Sequence, residues 1–361
     1  NSENESICAF THNKSVSSKF YRISVITTDS VMRKFAELEA VNTWEVDIIP
    51  LVETGGLFPA MHEVKGVEGK GLGTVARTNI IEGINVVYDF PMIMVDETVF
   101  EGRGLRQEQV ERLMAKAVGG LRGDLNERFG ELSGAGEKKD EGWEMKVFGK
   151  NAFKVKVKLG EEEKVFPNMM IVSRVNHDCA PNMGYYFDQK TLTQRLVAAR
   201  DIRQGEELTI GYVDLTKPCA TRQQLLKKLW GFNCTCRRCT LPPPEMQESN
   251  SRSDQIHDLL KQLDDHSSLE ASPEKAELLV TLYEKEGLQA RLYEAYYRAA
   301  FEWNAAGDAE KAVKYAKLCL EKGRSLRHAH SPFLEIMGVL IQNPEEHWSW
   351  RFRVKLRDLG I

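Results

Sequence analysis

The chain has 361 residues, of which 42% are hydrophobic, and its formal net charge is −4. This composition suits a globular protein with ample material for a core, and the length predicts two domains or one elaborated domain. The mild negative charge gives no basic signature for nucleic acid, and no apolar run approaches the length of a transmembrane helix. We therefore expect neither direct nucleic-acid binding nor a membrane partner.

The N-terminal sixty residues contain little that indicates chemistry. Residues 1–15 are polar, and we expect them to be frayed. Residues 20–27 are rich in β-forming side chains and predict a strand. Apolar side chains then recur at helical spacing over residues 31–38, and Asp29-Ser30 is the predicted cap of that helix.

A glycine-rich stretch, Gly69-Lys70-Gly71-Leu72-Gly73, follows this extension. Glycine permits backbone geometries and close ligand approach that a side chain would block. A simple hairpin turn and a ligand-binding loop are both compatible with this pattern. Thr74 stands where the dinucleotide-binding fingerprint requires its third glycine, which disfavours a Rossmann-type methyltransferase.

Residues 100–145 have a helical rather than a strand pattern. Apolar side chains recur there at helical spacing, with Gly119-Gly120 as the predicted break and residues 134–142 as a mobile loop. The following segment, residues 153–159, alternates strictly and predicts a strand. Its polar face carries Lys154, Lys156 and Lys158, which favours a solvated edge strand over a nucleic-acid patch.

The second half of the chain combines short strands with helices. Residues 184–187 and 195–199 predict strands, residues 205–212 predict a polar turn followed by an apolar strand, and residues 221–230 predict a helix. The proline-rich and then polar residues 241–253 predict a linker. From residue 254 onward the pattern is helical, and residues 299–320 resemble one tetratricopeptide-like hairpin.

Three of the seven cysteines crowd into six residues, as Cys234, Cys236 and Cys239. Such spacing indicates a metal site rather than disulfides. A closed tetrahedral zinc site needs four ligands, and Cys179 is the candidate for the fourth. The other cysteines are isolated and are expected to be small buried side chains: Cys8, Cys219 and Cys319. This usage fits a reducing compartment.

Four motifs occur in order along residues 69–239: the glycine-rich stretch above, Asn176-His177-x-Cys179-x-Pro181-Asn182, Gly205-Glu-Glu207-Leu-Thr-Ile-x-Tyr212, and Phe232-x-Cys234-x-Cys236-x-x-Cys239. Together they resemble the SET domain and post-SET zinc segment of protein lysine methyltransferases. The arrangement is similar to the SET-and-MYND group and to fungal SET-domain proteins. Residues 100–165 contain no cysteine, so the zinc-binding MYND module that interrupts the SET domain in that group is absent from this interval.

The resemblance implies an α+β fold with a β-rich SET core of small sheets and a pseudoknot-like crossing. The expected parts are an N-terminal extension (residues 1–60), a SET domain (61–215) with a helical insertion (100–145), a post-SET zinc segment (216–240), a linker (241–253) and a tetratricopeptide-like helical domain (254–361). The helical domain of the SET-and-MYND group walls the substrate cleft, and the same is expected here.

The resemblance also assigns roles to individual residues. The cofactor S-adenosylmethionine would be bound by Lys70, Gly71, Asn176, His177 and Tyr212, by Phe232 and more weakly Trp230 stacking on the adenine, and by Ser173 as a lesser candidate. Tyr212 would orient the substrate amine without acting as general base, since an ordinary tyrosine titrates near pH 10. Cys179, Cys234, Cys236 and Cys239 would hold a structural Zn²⁺. Asp178 departs from the family, which has serine at this position.

These residues predict a protein lysine N-methyltransferase that is monomeric and located in the nucleus, the cytoplasm or both. Its partner would be a lysine-bearing protein, and histone tails and non-histone proteins both remain open as substrates. A catalytically decayed SET protein that only binds a peptide or partner is the alternative. Turnover of the cofactor distinguishes the two.

Overall fold

The computed structural model describes residues 6–16, 19–38, 61–89, 91–100, 105–121, 123–132, 134, 140–170, 174–326 and 332–358. The chain divides into two compact units. The first unit comprises Asn1–Met61, Val87–Arg174 and Phe187–Arg195, and the second comprises His62–Val86, Val175–Tyr186 and Leu196–Ile361. Small sheets and a helical C-terminal region confirm the predicted α+β class.

The strands are β1 (Ile7–Val16), β2 (Lys19–Thr28), β3 (His62–Val67), β4 (Gly71–Ala76), β5 (Asn85–Asp89), β6 (Pro91–Val95), β7 (Ala152–Leu159), β8 (Glu162–Met170), β9 (Asn176–His177), β10 (Met183–Asp188), β11 (Thr193–Ala198) and β12 (Thr209–Ile210). The helices are α1 (Asp29–Ala36), α2 (Gln107–Gly119), α3 (Gly123–Gly130), α4 (Trp143–Asn151), α5 (Cys219–Trp230), α6 (Pro243–Asp264), α7 (Pro273–Lys285), α8 (Leu292–Ala306), α9 (Ala309–Leu326), α10 (Pro332–Gln342) and α11 (Phe352–Asp358). None of the helices in these ranges is long and apolar enough to cross a membrane.

A five-stranded sheet in the order β1-β2-β6-β8-β7 dominates the first unit. The prediction that residues 1–15 are frayed is wrong for residues 7–15, because β1 pairs antiparallel with β2 along its whole length. Ile7 and Ala9 pack against the apolar cluster under the sheet, while Cys8 between them is exposed. Cys8 is therefore not the small buried side chain that the sequence predicts.

Helix α1 follows β2 without a loop. Its N-cap is Thr28, in extended geometry, so the predicted cap at Asp29-Ser30 is wrong by a residue. The strand runs through Thr28 and leaves Asp29 to occupy the first helical turn. An acidic side chain in that position still interacts favourably with the helix dipole.

The helical insertion has the predicted character. Helix α2 ends at Gly119 and Gly120 is its C-cap, as the double glycine indicates. The buried side chains of α2, α3 and α4 form one cluster with strand residues of the sheet; Met114, Phe129 and Phe148 are among its members. The predicted loop at residues 134–142 lies mostly outside the described residues.

Strand β7 forms one edge of the five-stranded sheet, as its alternating lysines predict. Lys154, Lys156 and Lys158 are exposed on it. Lys156 Nζ lies 2.6 Å from Glu163 Oε1, and Lys154 forms an ion pair with Glu97. Charged side chains at an edge discourage pairing with another strand. The lysines therefore protect the edge of the sheet from further pairing, and acidic side chains next to them offset their charge.

The second unit contains short strand pairs. Strands β3 and β4 form an antiparallel hairpin, and β9 and β12 pair in parallel with Asn176 opposite Thr209 and His177 opposite Ile210. A bridge joins Val75 to Glu207. A three-stranded sheet has the order β10-β11-β5.

Helices α6 to α11 build the C-terminal part of the second unit. The predicted linker is wrong for residues 243–253, which form the first half of α6. Proline suits the first helical turn because its missing N–H would have no intrahelical partner there. The serines that suggest a linker are buried instead, with Ser249 2% exposed and Ser253 1% exposed.

The predicted tetratricopeptide-like hairpin is formed by α8 and α9. Helix α8 ends at Ala306 and is capped by Gly307, whose φ of 88° allows the tight reversal. Small side chains, Ala299, Ala300 and Ala316, are fully buried in the core that the C-terminal helices share. Small residues of this kind allow two helices to cross closely.

Candidate cofactor and zinc site

Pairing of β9 with β12 brings two distant motifs together. Asn176 and His177 lie beside Thr209 and Ile210, and the Asp178 amide N–H donates to the Ile210 carbonyl at 3.0 Å. The chain then continues from β12 into the loop that carries Tyr212. Two strands of two residues each are therefore enough to place the predicted cofactor residues next to the predicted catalytic tyrosine.

Tyr212 is anchored at both ends of the residue. Its backbone N–H donates to His177 Nδ1 at 3.0 Å, and its phenolic Oη donates to the Val175 carbonyl at 2.7 Å. Burial, followed by the nearby Glu207 carboxylate, raises the pKa of Tyr212 above its ordinary value. The phenol therefore stays protonated at neutral pH. A role in orienting a ligand suits it better than proton abstraction.

His177 links Tyr212 to the cysteine cluster. Burial lowers the pKa of His177 to about 4, so the imidazole is neutral at physiological pH. A neutral imidazole has one donor nitrogen, and Nδ1 already accepts the Tyr212 N–H. The hydrogen is therefore on Nε2, which lies 3.3 Å from Cys179 Sγ.

Glu207 joins the glycine-rich turn to Asn176. Its Oε2 lies 2.6 Å from Lys70 Nζ, and its Oε1 accepts from Asn176 Nδ2 at 2.8 Å. The same Asn176 amide donates to the Leu72 carbonyl at 3.2 Å. Burial opposes the charge on Lys70, but the Glu207 carboxylate outweighs it and raises the pKa of Lys70. An ammonium group is thus held beside the turn.

Glycine at position 73 is what allows this approach. A Cβ at that position would lie 2.7 Å from Asn176 Nδ2 and 2.8 Å from Glu207 Oε1. Sequence reasoning missed the part played by Glu207, although the residue belongs to one of the four motifs. The available signal is its position two residues before β12, the strand that leads to Tyr212.

Aromatic rings from the end of α5 surround Tyr212. The centroid of the Trp230 ring is 5.2 Å from that of Tyr212, and Phe232 is 6.4 Å from both Tyr212 and His177. Gly231 ends α5 with a φ of 83°, which turns the chain between the two rings. These side chains offer flat apolar surfaces beside Tyr212 and His177.

The predicted zinc ligands come together. The Sγ atoms of Cys179, Cys234, Cys236 and Cys239 all lie within 4.8 Å of one another. Cys179 Sγ and Cys239 Sγ are 3.6 Å apart, which is far beyond a disulfide bond of about 2 Å. Zinc–sulfur bonds of about 2.3 Å in a tetrahedron give sulfur separations of roughly 3.8 Å. The cluster therefore fits a Zn²⁺ ion with no ligand position left open.

Hydrogen-bond donors aimed at Cys179 support thiolate rather than thiol sulfur. Arg222, which is fully buried, donates through Nε to Cys179 Sγ at 3.2 Å, in addition to the His177 contact. Burial opposes the charge on Arg222, but the sulfurs of Cys179 and Cys239 raise its pKa. Outer-shell donors of this kind orient and stabilise metal ligands. The sequence gives no local sign of Arg222, which resembles any charged residue of an amphipathic helix.

Gly71 and Asp178 are the remaining residues of the predicted site that the structure describes. Gly71 follows the turn that Lys70 closes, has a φ of 74° and is exposed. Ser173 lies outside the described residues. Asp178 uses its Oδ1 to accept the Ala180 backbone N–H at 2.7 Å. A serine hydroxyl can make the same local bond, which explains how aspartate fits at this position.

Comparison with known proteins finds a family match in the central part of the chain. A family model described as SET domain matches residues 71–213, which include the β4 strand, the Asn176-His177 pair and Tyr212. The SET domain recognised from the motifs is therefore confirmed. Of the four clustered cysteines, Cys179 lies inside the matched region, and Cys234, Cys236 and Cys239 lie beyond its end.

Similar proteins carry methyltransferase names. The chain is 27% identical to "Histone-lysine N-methyltransferase set5" of Schizosaccharomyces pombe over 50% of this chain and 51% of that protein. It is 36% identical to "Histone-lysine N-methyltransferase SET5" of Candida albicans over 26% of this chain and 21% of that protein. It is also 30% identical to "N-lysine methyltransferase SMYD2-B" of Danio rerio over 26% and 20%. The chain thus spans about half, or less, of the relatives it matches, and the resemblance to fungal and SET-and-MYND methyltransferases is confirmed.

Proposed function

We propose that this protein is an S-adenosylmethionine-dependent protein lysine N-methyltransferase. The observation that carries the proposal is the convergence of three separate segments on Tyr212: the Asn176-His177 pair, the Trp230-Phe232 turn and the cysteine cluster. The named relatives and the SET domain support the same reaction class. The substrate is a lysine-bearing protein, for which histone and non-histone proteins are both candidates.

The cofactor supplies an electrophilic methyl group on a sulfonium. Lys70 offers the charge that a carboxylate of the cofactor needs, and Phe232 and Trp230 offer surfaces for its adenine. Asn176 and His177 supply polar contacts beside them, and Gly71 leaves the backbone accessible. Ser173 is included in this proposed site from its place in the motif.

Tyr212 positions the substrate amine in this mechanism. Its hydroxyl hydrogen is donated to the Val175 carbonyl, so the oxygen retains lone pairs that accept a hydrogen bond from the amine. The raised pKa of Tyr212 keeps the phenol neutral and excludes it as the base. The amine must be neutral when it attacks, and catalysis comes from its alignment with the methyl group.

Four cysteines would hold Zn²⁺ in a structural role. The ion would tie Cys179, next to the Asn176-His177 pair, to the segment that carries Phe232. Because all four positions are taken by sulfur, the metal has no open site for a reactant. We propose a monomer that acts in the nucleus, the cytoplasm or both.

The first test is transfer of labelled methyl from S-adenosylmethionine into histones and into a whole-cell extract. We expect label on lysine, reduced about 100-fold or more by Tyr212→Phe, because removal of one positioning hydrogen-bond group costs about that factor. Tyr283→Phe is the matched control, since Tyr283 is buried and its hydroxyl has no hydrogen-bond partner among the described residues. Its activity should be unchanged.

The result also distinguishes the alternative function. Cofactor binding without transfer to any protein would favour a SET protein that only recognises a partner. Absence of cofactor binding in the wild-type chain would refute the proposed activity.

A further inference from the structure

The connection between α7 and α8, residues 286–291, contacts three segments next to the proposed site. Glu286 forms an ion pair with Arg238, which lies between two of the zinc-site cysteines. A Cβ on Gly287 would lie 3.0 Å from Ala180 Cβ, directly after Cys179. Arg291 Nη1 lies 3.2 Å from Asp214 Oδ1, two residues after Tyr212. This short connection in the helical region therefore borders the cysteine cluster and the loop of Tyr212.

Burial decides which of these contacts matters most. The side chains of Arg291 and Asp214 are 33% and 44% exposed, and ion pairs so open to water contribute little. The side chains of Arg238 and Glu286 are only 7% and 1% exposed. Loss of one partner of such a pair leaves a charge buried without compensation, which is strongly unfavourable. The buried pair of Arg238 and Glu286 is therefore the strongest of these restraints.

Glu286 has two hydrogen-bond donors and an ion-pair partner, Arg238. Ser249 Oγ donates to Oε2 at 2.7 Å, and Arg252 Nε donates to Oε1 at 2.6 Å. Both belong to α6, whereas Arg238 belongs to the cysteine segment. Burial alone would raise the pKa of Glu286, but Arg238, Ser249 and Arg252 hold it below its ordinary value. The carboxylate is thus ionised, and both of its oxygens have partners.

Arg238 connects Glu286 to the cysteine cluster. It lies in the single turn Arg237–Cys239, flanked by Cys236 and Cys239. Its Nη1 donates to the Cys179 carbonyl at 2.8 Å and to the Leu215 carbonyl at 3.0 Å. One guanidinium therefore fixes the backbone of the distant fourth cysteine and of the loop that follows Tyr212. Its position depends on the carboxylate behind it.

We propose that Glu286 is a positioning residue for the zinc and cofactor site, acting through Arg238. This inference rests on the proposed function, because it takes the four-cysteine cluster as a zinc site beside a cofactor pocket. Through this pair the helical C-terminal region sets the separation between Cys179 and the Cys234–Cys239 segment. Phe232 and His177, which lie on either side, are held at their distance by the same restraint.

The test compares Glu286→Gln with Glu302→Gln in the full-length protein. Glu302 and Arg353 form an equally buried pair, with side chains 1% and 3% exposed, between α8 and α11 and without contact to a zinc-site cysteine. Both variants are expected to lower the thermal midpoint. Zinc release to a chromogenic chelator should be about 10-fold faster or more in Glu286→Gln, because outer-shell changes commonly cost 10- to 100-fold in metal affinity. Binding of S-adenosylmethionine, measured by calorimetry, should weaken by a similar factor.

Glu302→Gln should leave both the zinc-release rate and the cofactor affinity at the wild-type values. Equal zinc release in the two variants overturns the inference, even if Glu286→Gln is less stable. If Glu286→Gln does not fold, Ser249→Ala is used in its place, because this variant removes one donor to Glu286 and keeps the carboxylate. We expect its zinc release to be about 2- to 3-fold faster than that of the wild type. An unchanged rate would overturn the inference.

Two measurements separate this inference from the proposed function. Wild-type protein with one bound zinc and normal release in Glu286→Gln refutes only the role of Glu286. A wild-type chain that binds no zinc refutes the metal site, and the role of Glu286 with it. In an Arg238→Met background, Glu286→Gln should have no further effect on zinc release if the restraint acts through Arg238.

Discussion

A single imidazole connects the two chemistries of the site. His177 accepts the Tyr212 N–H on Nδ1 and directs Nε2 at Cys179 Sγ, so the same ring touches the proposed catalytic loop and the proposed metal ligand. Its pKa of about 4 keeps it neutral and fixes the tautomer at neutral pH. Loss of order at the cysteines is therefore expected to displace His177 and, through it, Tyr212.

Replacement of one cysteine tests this coupling. Cys236→Ser is expected to abolish zinc binding and to weaken S-adenosylmethionine binding at least about 10-fold, because Phe232 and His177 lose their common support. Zinc content by atomic absorption and cofactor affinity by calorimetry measure the two effects. Cys319→Ala, a buried cysteine on α9 outside the cluster, is the control and should keep both. Normal cofactor affinity in a zinc-free Cys236→Ser protein would show that zinc does not order this site.

Among the elements, strand β4 depends on a residue without a side chain. Gly73 is buried opposite Lys65 of β3, and the space that its Cβ would need is taken by Asn176 and Glu207. The close approach of the hairpin to Asn176 and Glu207 therefore requires glycine at this position. The same strand begins with Gly71, so the proposed ligand-binding turn and the close contact belong to one element.

Gly73→Ala should disturb this element more than its position in a short strand suggests. We expect a loss of about 1–3 kcal/mol in the free energy of unfolding, since the added methyl group must displace packed neighbours. Cofactor affinity should fall as Asn176 and Glu207 move. Chemical denaturation and calorimetry measure these changes.

Gly66→Ala on the paired strand β3 is the matched control. A Cβ there meets nothing within 4 Å, so stability should be unchanged or up to about 1 kcal/mol higher. Equal effects of the two substitutions would show that the contact between β4 and Asn176 is not tight.

At the scale of the whole chain, the proposed zinc site is small beside the apolar cores. The C-terminal helices of the second unit share a large buried cluster, whereas among the described residues the cluster that contains the cysteines has Leu226 as its one further buried apolar side chain. Burial of apolar side chains is the main source of stability in a folded domain. Most of the helical structure should therefore not depend on the metal.

Chelation of zinc from the wild-type protein tests this independence. We expect cofactor binding to be lost and the thermal midpoint to fall, while the helical signal in far-ultraviolet circular dichroism at 25 °C is largely retained. Re-addition of Zn²⁺ should restore binding. A collapse of the helical signal on chelation would show that the helical core needs the metal to fold.

Much of the site could be predicted from local sequence. Asn176, His177, Tyr212 and the four cysteines form motifs whose residue types and order are informative by themselves. The lysines of β7 and the double glycine after α2 likewise act through their immediate neighbours. The predicted linker is wrong because Ser249 and Ser253 look solvated in sequence, and only their packing shows that they are buried.

The sequence alone was enough to predict a SET domain, the four-cysteine cluster and helices in the C-terminal part. Tertiary structure decided which polar side chains meet: Lys70 and Glu207 form a half-buried ion pair, and Arg222 with Cys179 and Arg238 with Glu286 form buried contacts. The physical reason is that the identity of a charged residue does not show whether its side chain will be solvated or paired with a buried group. Its role is fixed only when the fold removes the water and brings a distant group within hydrogen-bond distance.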